Sequence, residues 1–226
     1  MTIAFIPARC GSKSISFKNI KEFCGKPLIY WSLLELEKSE RIDKVFVATD
    51  CEQIKDVVVS FNFSKVEVYD REIKNANDTS STESVMLEFI QKSDFNNDDL
   101  FCLVQATSPL TQSSDFTKAF MKFDKDKTDS LLTCTRVKSF FWTEDGIPIN
   151  YDYKKRPRRQ DFDGVLVENG AFYISYVKNI KKYKNRLSER ISIYEMDEFK
   201  YIDIDEEEDW EMAERIMKKN ILKRGK

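Results

Sequence analysis

Histidine is absent from this chain of 226 residues. Its absence excludes catalytic triads built on histidine, zinc sites of the His-Glu-x-x-His type and histidine general bases. Any acid–base chemistry must therefore use carboxylates, lysines or a metal-bound water molecule.

Cysteine and glycine are too sparse to form the motifs they are known for. The five cysteines are an odd number and lack Cys-x-x-Cys spacing, so the sequence predicts neither a disulfide framework nor a zinc site. The loop that follows the first apolar run contains one glycine, Gly11. It therefore matches neither the Walker A pattern nor the Gly-x-Gly-x-x-Gly turn of dinucleotide-binding proteins.

Long apolar runs and a charge of one sign are missing as well. No apolar run approaches the roughly 18 residues of a membrane span, and no charged leader precedes one. The 37 basic and 39 acidic residues leave a formal net charge of −2, so no overall field attracts nucleic acid or a membrane. We therefore expect a soluble, cytoplasmic protein that binds neither of them, and any anionic ligand must be met by a local cluster of cations.

The sequence is rich in apolar strands that alternate with amphipathic helices. Strands are predicted for residues 3–6, 45–48, 66–69, 100–104 and 130–135. The segment 100–104 is the most apolar of them, which predicts that it lies at the centre of the sheet. The alternation indicates an α/β fold with a doubly wound, mostly parallel sheet. The length is typical of one domain, residues 1–226.

Residues 136–167 interrupt this alternation. They combine aromatic side chains with turn residues and show no helical period. A long stretch without regular elements indicates an inserted arm, and its aromatic residues are typical of an interface. We therefore predict that this arm mediates dimerisation. Sheet character resumes at residues 171–174 and again at 201–205, before a final helix that buries Trp210.

Polar residues crowd the loop after the first strand. They are Arg9, Ser12, Lys13, Lys18 and Asn19. In open α/β sheets, ligands bind at the carboxyl ends of the strands, where loop amides and cations can hold phosphate. The loop is therefore a candidate phosphate site, and the alternative is that these cations are only solvated.

Acidic residues lie at the ends of two other predicted strands. Asp203 and Asp205 are two positions apart in an alternating strand, so their carboxylates are expected on one face. Such a pair suits Mg²⁺, which binds carboxylates together with substrate phosphates. The alternative is that Asp205 caps the last helix, whose first turn is acidic. For Asp50, after the strand at 45–48, we favour helix capping over catalysis.

A basic run occupies residues 154–160. It could be a solvated loop, a nucleic-acid patch or a clamp for an anion. The balanced net charge argues against nucleic acid. Arginine pairs bidentately with carboxylate and phosphate groups, so an anion clamp suits the composition of the run.

Taken together, eight segments resemble the cytidylyltransferases that activate nine-carbon keto-sugar acids, the CMP-N-acylneuraminate synthetases. The resemblance covers nearly the whole chain and rests on the order of the segments, since each is weak alone. In chain order they are Ile-Pro-Ala-Arg-Cys-Gly-Ser-Lys at 6–13, Lys-Asn at 18–19, Thr-Asp at 49–50, Arg71 with Asp-Thr-Ser-Ser-Thr at 78–82, Gln-Ala-Thr-Ser-Pro-Leu at 105–110, Arg-Arg-Gln-Asp at 158–161, Glu-Asn-Gly-Ala-Phe-Tyr at 168–173 and Ile-Asp-Ile-Asp at 202–205.

The resemblance implies a Rossmann-like nucleotidyltransferase fold and a reaction. CMP passes from CTP to the anomeric hydroxyl of a sialic-acid-type nonulosonic acid, N-acetylneuraminate above all, and pyrophosphate leaves, with Mg²⁺ as the cofactor. The hydroxyl attacks the α-phosphorus in line, so no protein nucleophile is required. The family also implies a homodimer in which an arm covers the partner's active site. Residues 136–167 resemble that arm, and Arg159 is then predicted to serve the neighbouring subunit.

The resemblance also assigns roles to the matching positions. The catalytic residues would be Lys18, Arg9, Lys13 and Asp205. The metal ligands would be Asp203 and Asp205. The sugar acid would contact Gln105, Arg159, Gln160 and Asn169. The nucleotide would be held by Ala8, Arg9, Gly11, Ser12, Lys13, Asn19, Arg71, Ser81 and Thr82.

Two alternatives stay open. The same reaction on a legionaminic, pseudaminic, deaminated sialic or Kdo-type acid would change only the acceptor. The alternative of a different class is a non-catalytic nucleotide-sugar-binding or nucleic-acid-associated protein. Lys18, Asp203 and Asp205 are all present, which argues against that second alternative.

Overall fold

The computed structural model describes residues 1–11, 14–72, 75 and 80–225. Its strands, in chain order, are β1 (Thr2–Pro7), β2 (Glu22–Phe23), β3 (Lys26–Pro27), β4 (Lys44–Thr49), β5 (Val66–Asp70), β6 (Leu100–Val104), β7 (Ser130–Val137), β8 (Val165–Tyr176) and β9 (Ile191–Met196). Its helices are α1 (Leu28–Lys38), α2 (Glu52–Ser60), α3 (Thr82–Gln91), α4 (Ser113–Asp126), α5 (Val177–Tyr183) and α6 (Glu207–Asn220). None of the helices in these ranges combines the length and the apolarity needed to cross a lipid bilayer.

Seven strands form one sheet in the order β5-β4-β1-β6-β8-β7-β9. β1 pairs in parallel with β4 and β6, and β4 pairs in parallel with β5. β8 runs antiparallel to both of its neighbours, β6 and β7, while β9 is parallel to β7. The prediction that residues 100–104 form the central strand is confirmed, since β6 is fourth of the seven.

Helices cover both faces of the sheet because successive side chains of each strand point in opposite directions. In β1, Ala4 and Ile6 belong to a core formed with α1, α2 and α4. Ile3 and Phe5 belong to a second core, formed with α3 and α5. The predicted α/β fold with a doubly wound, mostly parallel sheet is therefore confirmed.

A third cluster lies where α6 packs against the first loop and the β2–β3 hairpin. The Trp210 and Phe23 rings meet edge to face with their centroids 5.5 Å apart, and Ile15 and Ile204 are buried in the same cluster. The hairpin turns at Cys24 and Gly25, whose φ values of 51° and 81° are typical of a two-residue turn. This cluster holds α6 against the first loop.

The second half of the chain departs from the sequence-based expectations. β8 begins at Val165 rather than at residue 171, and α5 and β9 were not predicted. The predicted strand at 201–205 is wrong. Ile204 N–H donates to the carbonyl of Thr107 at 3.0 Å, so the segment is tied to the loop after β6 and not to a strand ladder.

The inserted arm comprises residues 138–164, which shortens the predicted 136–167 at both ends. β7 extends to Val137 and β8 begins at Val165, and these two residues are paired. Gly164 permits the return of the chain: its φ is +76°, and a Cβ there would lie 2.4 Å from the Val137 carbonyl oxygen. The arm therefore leaves the sheet at the end of β7 and returns to it at the start of β8, the strand that pairs with β7.

Aromatic residues form a small cluster within the arm. The ring of Phe140 lies 4.1 Å from that of Tyr151 and 4.8 Å from that of Phe162, centroid to centroid. Trp142 and Ile149 remain 46% and 63% exposed. Large apolar side chains exposed together are typical of a surface that contacts another protein.

A buried ion pair ties the segment before α6 to α4. Lys200 Nζ lies 2.6 Å from Asp115 Oδ2, and the two side chains are 3% and 5% exposed. Asp115 also accepts hydrogen bonds from the Gln112 backbone N–H and the Tyr194 hydroxyl. The buried charges are therefore compensated by direct contacts.

We expect Lys200→Met to destabilise the fold by about 3 kcal/mol, because it leaves a buried carboxylate without its counter-charge. Urea denaturation followed by circular dichroism measures this loss. The control is Lys178→Met, which removes an ion pair with Asp98 that is exposed on both sides and should leave the unfolding midpoint unchanged. Equal losses of stability in the two variants would show that burial does not determine how much the Lys200–Asp115 ion pair contributes to stability.

Candidate active site

A cavity of about 480 Å³ opens at the carboxyl ends of β1, β5 and β6. This is the edge at which open α/β sheets bind ligands. Ten of the predicted site residues line it, namely Arg9, Gly11, Lys18, Asn19, Arg71, Ser81, Thr82, Gln105, Asp203 and Asp205. The fold therefore assembles in one place residues that are up to 196 positions apart (205 − 9 = 196).

The first loop turns Lys18 towards the cavity. Phe17, just before it, has a positive φ of 50°, and the Phe17 carbonyl accepts two backbone hydrogen bonds from the following turn. Lys18 Nζ donates to the Ile204 carbonyl at 2.7 Å and lies 3.2 Å from Asp205 Oδ1. The Lys18 side chain is only 12% exposed, so its ammonium group is held rather than free in solvent.

Asp203 and Asp205 both line the cavity although their segment is not a strand. Ile204 is fully buried between them, which turns the two carboxylates to the same side. Asp203 is surrounded by protein atoms while it stays open to the cavity, and this partial desolvation raises its pKa. The hydrogen bond from Thr107 opposes the rise, and the charge of Asp205 adds to it.

Asp205 does not cap α6, so that alternative is wrong. Glu206 occupies the N-cap position, and the Asp209 carboxylate accepts its backbone N–H at 2.9 Å to complete a capping box. The Asp205 carboxylate faces Lys18 instead. Its side chain is 73% exposed and therefore accessible to a ligand.

Asp50 does not cap α2 either, which corrects the favoured prediction. Cys51 occupies the N-cap position of α2 and makes no side-chain cap hydrogen bond. Asp50 Oδ1 accepts the backbone N–H of Cys10 at 3.2 Å. The residue thus supports the first loop and leaves the following helix uncapped by side chains.

Arg71 carries an unsatisfied donor beside the cavity. Its Nη2 donates to the Asn75 carbonyl, whereas its buried Nε finds no acceptor within the part of the chain that the structure describes. Burial lowers the pKa of Arg71, and the charges of Asp50 and Glu88 oppose that shift. An oxygen atom of a bound ligand would satisfy the remaining N–H.

Two of the predicted nucleotide-binding groups already have partners within the protein. Ala8 is buried, does not line the cavity, and donates its N–H to the Ala48 carbonyl at 2.8 Å. The Ser81 hydroxyl lines the cavity but caps α3 by accepting the N–H of Ser84 at 3.1 Å. Both groups therefore support the structure around the cavity through hydrogen bonds within the protein.

Asn169 lines an adjoining cavity, which shares Gly170 and Asp203 with the first. Its Nδ2 donates to the Lys200 carbonyl at 3.0 Å, which sets the orientation of the amide. Its Oδ1 is buried and has no partner among the described residues. The structure therefore places Asn169 next to the main cavity rather than in its wall.

Arg159 and Gln160 are not at the cavity of their own chain. Both lie exposed in a short 3-10 turn of the arm, and Arg159 Nη2 is 4.0 Å from Glu198 Oε1. The predicted phosphate-binding residues Ser12 and Lys13 lie outside the described residues.

Arg186 lines the cavity and was not predicted from the sequence. Its Nε donates to Glu83 Oε1 at 2.6 Å, and its guanidinium lies 4.9 Å from the centroid of the Tyr173 ring. The Tyr173 hydroxyl in turn donates to Glu168. Burial acts to lower the pKa of Arg186, but the hydrogen bond to Glu83, the charge of Glu83 and the contacts with Tyr173 together outweigh it, so the pKa is raised. Tyr173 ends a matching segment and could have been found, whereas Arg186 stands in no motif.

The carboxylates Asp203 and Asp205 fit a magnesium ion that is shared with a phosphate-bearing ligand. Within the described ranges, no group of three or more histidine, cysteine or acidic residues could hold a metal ion unaided. Mg²⁺ usually binds proteins through one or two carboxylates and completes its shell with water and substrate phosphates. A cation would also relieve the repulsion that helps to raise the pKa of Asp203.

Comparison with known proteins identifies relatives along the whole chain. The sequence profile of the cytidylyltransferases matches residues 3–226. N-acylneuraminate cytidylyltransferase B of Danio rerio is 36% identical over 221 residues, covering 94% of this chain and 50% of the relative. N-acylneuraminate cytidylyltransferase of Streptococcus agalactiae is 29% identical over 216 residues, covering 92% and 51%. The chain thus spans about half the length of these two relatives.

Two further matches cover nearly all of both proteins that are compared. Pseudaminic acid cytidylyltransferase of Campylobacter jejuni is 28% identical over 226 residues, covering 96% of this chain and 97% of the relative. The solved structure of CMP:2-keto-3-deoxy-manno-octonic acid synthetase complexed with CTP superposes with a TM-score of 0.71 at 17% identity. The superposition covers 97% of this chain and 99% of that chain, and shows that the two share a fold.

We expect Asp203→Asn to stabilise the folded protein at neutral pH. A raised pKa means that ionisation of Asp203 is less favourable in the folded state than in the unfolded chain, so the carboxylate reduces stability once it is charged. The gain should be absent in acid, appear as the pH rises through the usual range of aspartate, and be complete above the folded-state pKa. Thermal melts between about pH 3.5 and pH 8, without divalent cations, measure it.

The matched control is Asp205→Asn, which removes the more exposed carboxylate of the pair. It should show no such gain, because this carboxylate is open to solvent and faces the Lys18 ammonium group. A stabilisation by Asp203→Asn that is equal at every pH would show that the charge is not its cause.

Proposed function

The chain belongs to the cytidylyltransferase family, and from that premise we propose that it transfers CMP from CTP to the anomeric hydroxyl of a sialic-acid-type nonulosonic acid, releasing pyrophosphate. Two of the relatives are named for N-acylneuraminate, which supports N-acetylneuraminate as the acceptor. The observation that carries the proposal is the meeting of Lys18 with Asp203 and Asp205 in one cavity at the strand ends. A cation beside a carboxylate pair suits a polyphosphate and its metal ion.

The protein's own tasks in this reaction are positioning and charge neutralisation. Lys18 would exchange its contact with Asp205 for a phosphate oxygen and offset the charge on the transferring and leaving phosphates. Arg9 adds a second cation to the cavity wall. Arg71 would use its unsatisfied Nε to bind an oxygen of the nucleoside.

Asp203 and Asp205 would hold Mg²⁺, which supplies neutralisation of phosphate charge and a lower pKa for the attacking hydroxyl. Lys18 supports these ligands from the first loop, because its Nζ donates to the Ile204 carbonyl between them. The absence of histidine is consistent with such a mechanism. The acceptor hydroxyl is the nucleophile, so no side chain has to form a covalent intermediate.

The acceptor would lie against Gln105, Tyr173 and Arg186, which line the cavity beside the nucleotide-binding residues. The amide of Gln105 and the linked pair of Arg186 and Tyr173 offer hydrogen-bonding groups to a polyhydroxylated acid. Sites built from such groups discriminate against substrates that lack the matching hydroxyls, because polar atoms are then left unpaired. We therefore place acceptor selection on this side of the cavity.

The same reaction on pseudaminic acid is the second candidate. The observation that favours it is the similarity to the pseudaminic acid cytidylyltransferase of Campylobacter jejuni, which is 28% identical to this chain over 226 residues. Both candidates require the same nucleotide site and differ only in the acceptor.

The decisive experiment is pyrophosphate release from each ribonucleoside triphosphate with Mg²⁺ and a panel of keto-sugar acids. We expect release with CTP and N-acetylneuraminate, and none with the other nucleotides. Release with pseudaminic acid alone would establish the second candidate. Failure of the protein to bind CTP in calorimetry would refute the proposal as a whole.

We expect Lys18→Met to reduce turnover by about a hundredfold or more, because it removes a cation positioned at the developing charge. Steady-state kinetics at saturating CTP measure the change. The control is Lys21→Met in the same loop. The Lys21 ammonium group lies 2.7 Å from Glu207 Oε1, and Lys21 does not line the cavity. Similar losses of turnover in both variants would show that Lys18 supports the structure of the loop and has no specific role in catalysis.

We also propose that the chain acts as a homodimer in which the arm at 138–164 reaches the partner's cavity. The exposed aromatic cluster of the arm supports this, as does the position of Arg159 on the arm and outside the cavity of its own chain. An arginine brought across the interface would supply the cation that suits the carboxylate of the acceptor.

Complementation tests the shared site. Arg159→Ala and Lys18→Met should each be inactive, whereas their mixture should regain about one quarter of wild-type activity. Random mixing makes half of the dimers mixed, and each mixed dimer contains one intact site. No recovery, in a mixture that exchanges subunits by native mass spectrometry, would mean that Arg159 serves its own chain.

A further inference from the structure

Two cysteines stand side by side next to the candidate active site. β1 and β4 are parallel neighbours in a register that pairs Pro7 with Ala48, and Cys10 and Cys51 each lie three positions further along. Neighbouring strands are about 4.8 Å apart. This spacing is within the Cα separation of about 4.4–6.8 Å that disulfides span. The strand register therefore puts the two loops that carry the cysteines side by side.

The contacts around the two thiols agree with the register. The Cys10 thiol lies close enough to the Cys51 thiol for that thiol to raise its pKa, and the Cys51 thiol itself donates to Gln53 Oε1 at 3.3 Å. The Cys10 backbone N–H donates to Asp50 Oδ1 at 3.2 Å, which adds a second tie between the same two loops. Both thiols are free; Cys10 is half-buried, and Cys51 is only 2% exposed. A small oxidant can thus reach Cys10, while Cys51 lies behind it.

We propose that Cys10 and Cys51 form a dithiol modification site that reacts with small disulfides. The Cys10 thiolate attacks one sulfur of the small disulfide, forms a mixed disulfide and releases one thiolate. The Cys51 thiolate then attacks the Cys10 sulfur, forms the Cys10–Cys51 bond and releases the second thiolate. The two cysteines lose two protons and two electrons, and the small disulfide is reduced to two thiols.

The bond would join the first loop to the turn between β4 and α2. Arg9, next to Cys10, lines the cavity, and Lys18 lies further along the same loop. A covalent bridge at this point restricts the adjustment of the loop around a triphosphate. The effect on CTP rests on the proposed function, whereas formation of the bridge does not.

The environment of Cys10 sets the conditions of the reaction. The neighbouring Cys51 thiol, followed by burial, raises the pKa of Cys10 to about 11. Since the thiolate is the reacting species, the site reacts with small disulfides slowly near neutral pH and faster in alkaline solution. Cys24 supplies a comparison, because it is half-buried too but hydrogen-bonds to the Glu214 carbonyl.

The test is incubation of the full chain with oxidised glutathione at about pH 8.5, without nucleotide. Thiols are then counted after denaturation, and unreduced peptides are mapped by mass spectrometry. We expect the free thiols to fall from five to three, with a peptide pair that links Cys10 to Cys51, and dithiothreitol to restore all five. Cys24→Ser should still form the bridge, whereas Cys51→Ala should stop at a glutathione adduct on Cys10. An unchanged count in the wild type, or an adduct on Cys10 without the bridge, would overturn the proposal.

Calorimetry with CTP tests the consequence separately. We expect the oxidised protein to bind CTP at least tenfold more weakly than the reduced protein, and reduction to restore the affinity. Cys10→Ser should bind CTP equally before and after the same treatment. A bridged protein with unchanged affinity would refute the coupling to the nucleotide site. A reduced protein that does not bind CTP would refute the proposed function and leave the mapped bridge in place.

Discussion

The contact of Lys18 with the segment before the last helix is the interaction on which the candidate site depends. The ammonium group donates to the Ile204 carbonyl and faces Asp205, joining parts of the chain that are 186 residues apart. Beneath it, the apolar cluster of Ile15, Ile204 and Trp210 holds the same two segments together. The apolar cluster provides the stability, and the ion pair orients the polar groups above it.

The candidate site is built from groups that are unfavourable on their own. Asp203 has a raised pKa next to a second carboxylate, and the buried Nε of Arg71 finds no acceptor among the described residues. Such features reduce the stability of a fold unless a ligand completes them. A metal ion at Asp203 and a nucleoside oxygen at Arg71 would satisfy both, which is why the geometry favours a nucleotide site over a set of solvated surface charges.

Stability and function are separated within the molecule. The ion pair of Lys200 with Asp115 is buried and fully compensated, and the Lys200 carbonyl orients Asn169 beside the cavity. The acceptor side of the cavity uses a second network, from Glu83 through Arg186 to Tyr173. These networks connect α3, α4 and β8 to the rim of the sheet, so residues far from the reacting atoms can influence which acceptor fits.

Much of the fold could be predicted from the sequence because strand and helix patterns are local. The apolar runs identified β1, β4, β5, β6 and β7, and the chemistry of Lys18, Asp203 and Asp205 indicated the candidate site, whose cavity these residues line. Other features depended on the packing of distant segments. Asp50 supports the Cys10 loop instead of capping a helix because the register of β1 against β4 puts the two loops side by side.

The sequence by itself thus determined the alternation of elements, the polar strand ends and the pairing of two aspartates around an isoleucine. Only the tertiary structure decided that these aspartates lie outside any strand, that Arg186 reaches the cavity and that two cysteines meet. The physical reason is that backbone preferences act over a few residues. The position of a side chain in a site is set by contacts between segments that the sequence order does not bring together.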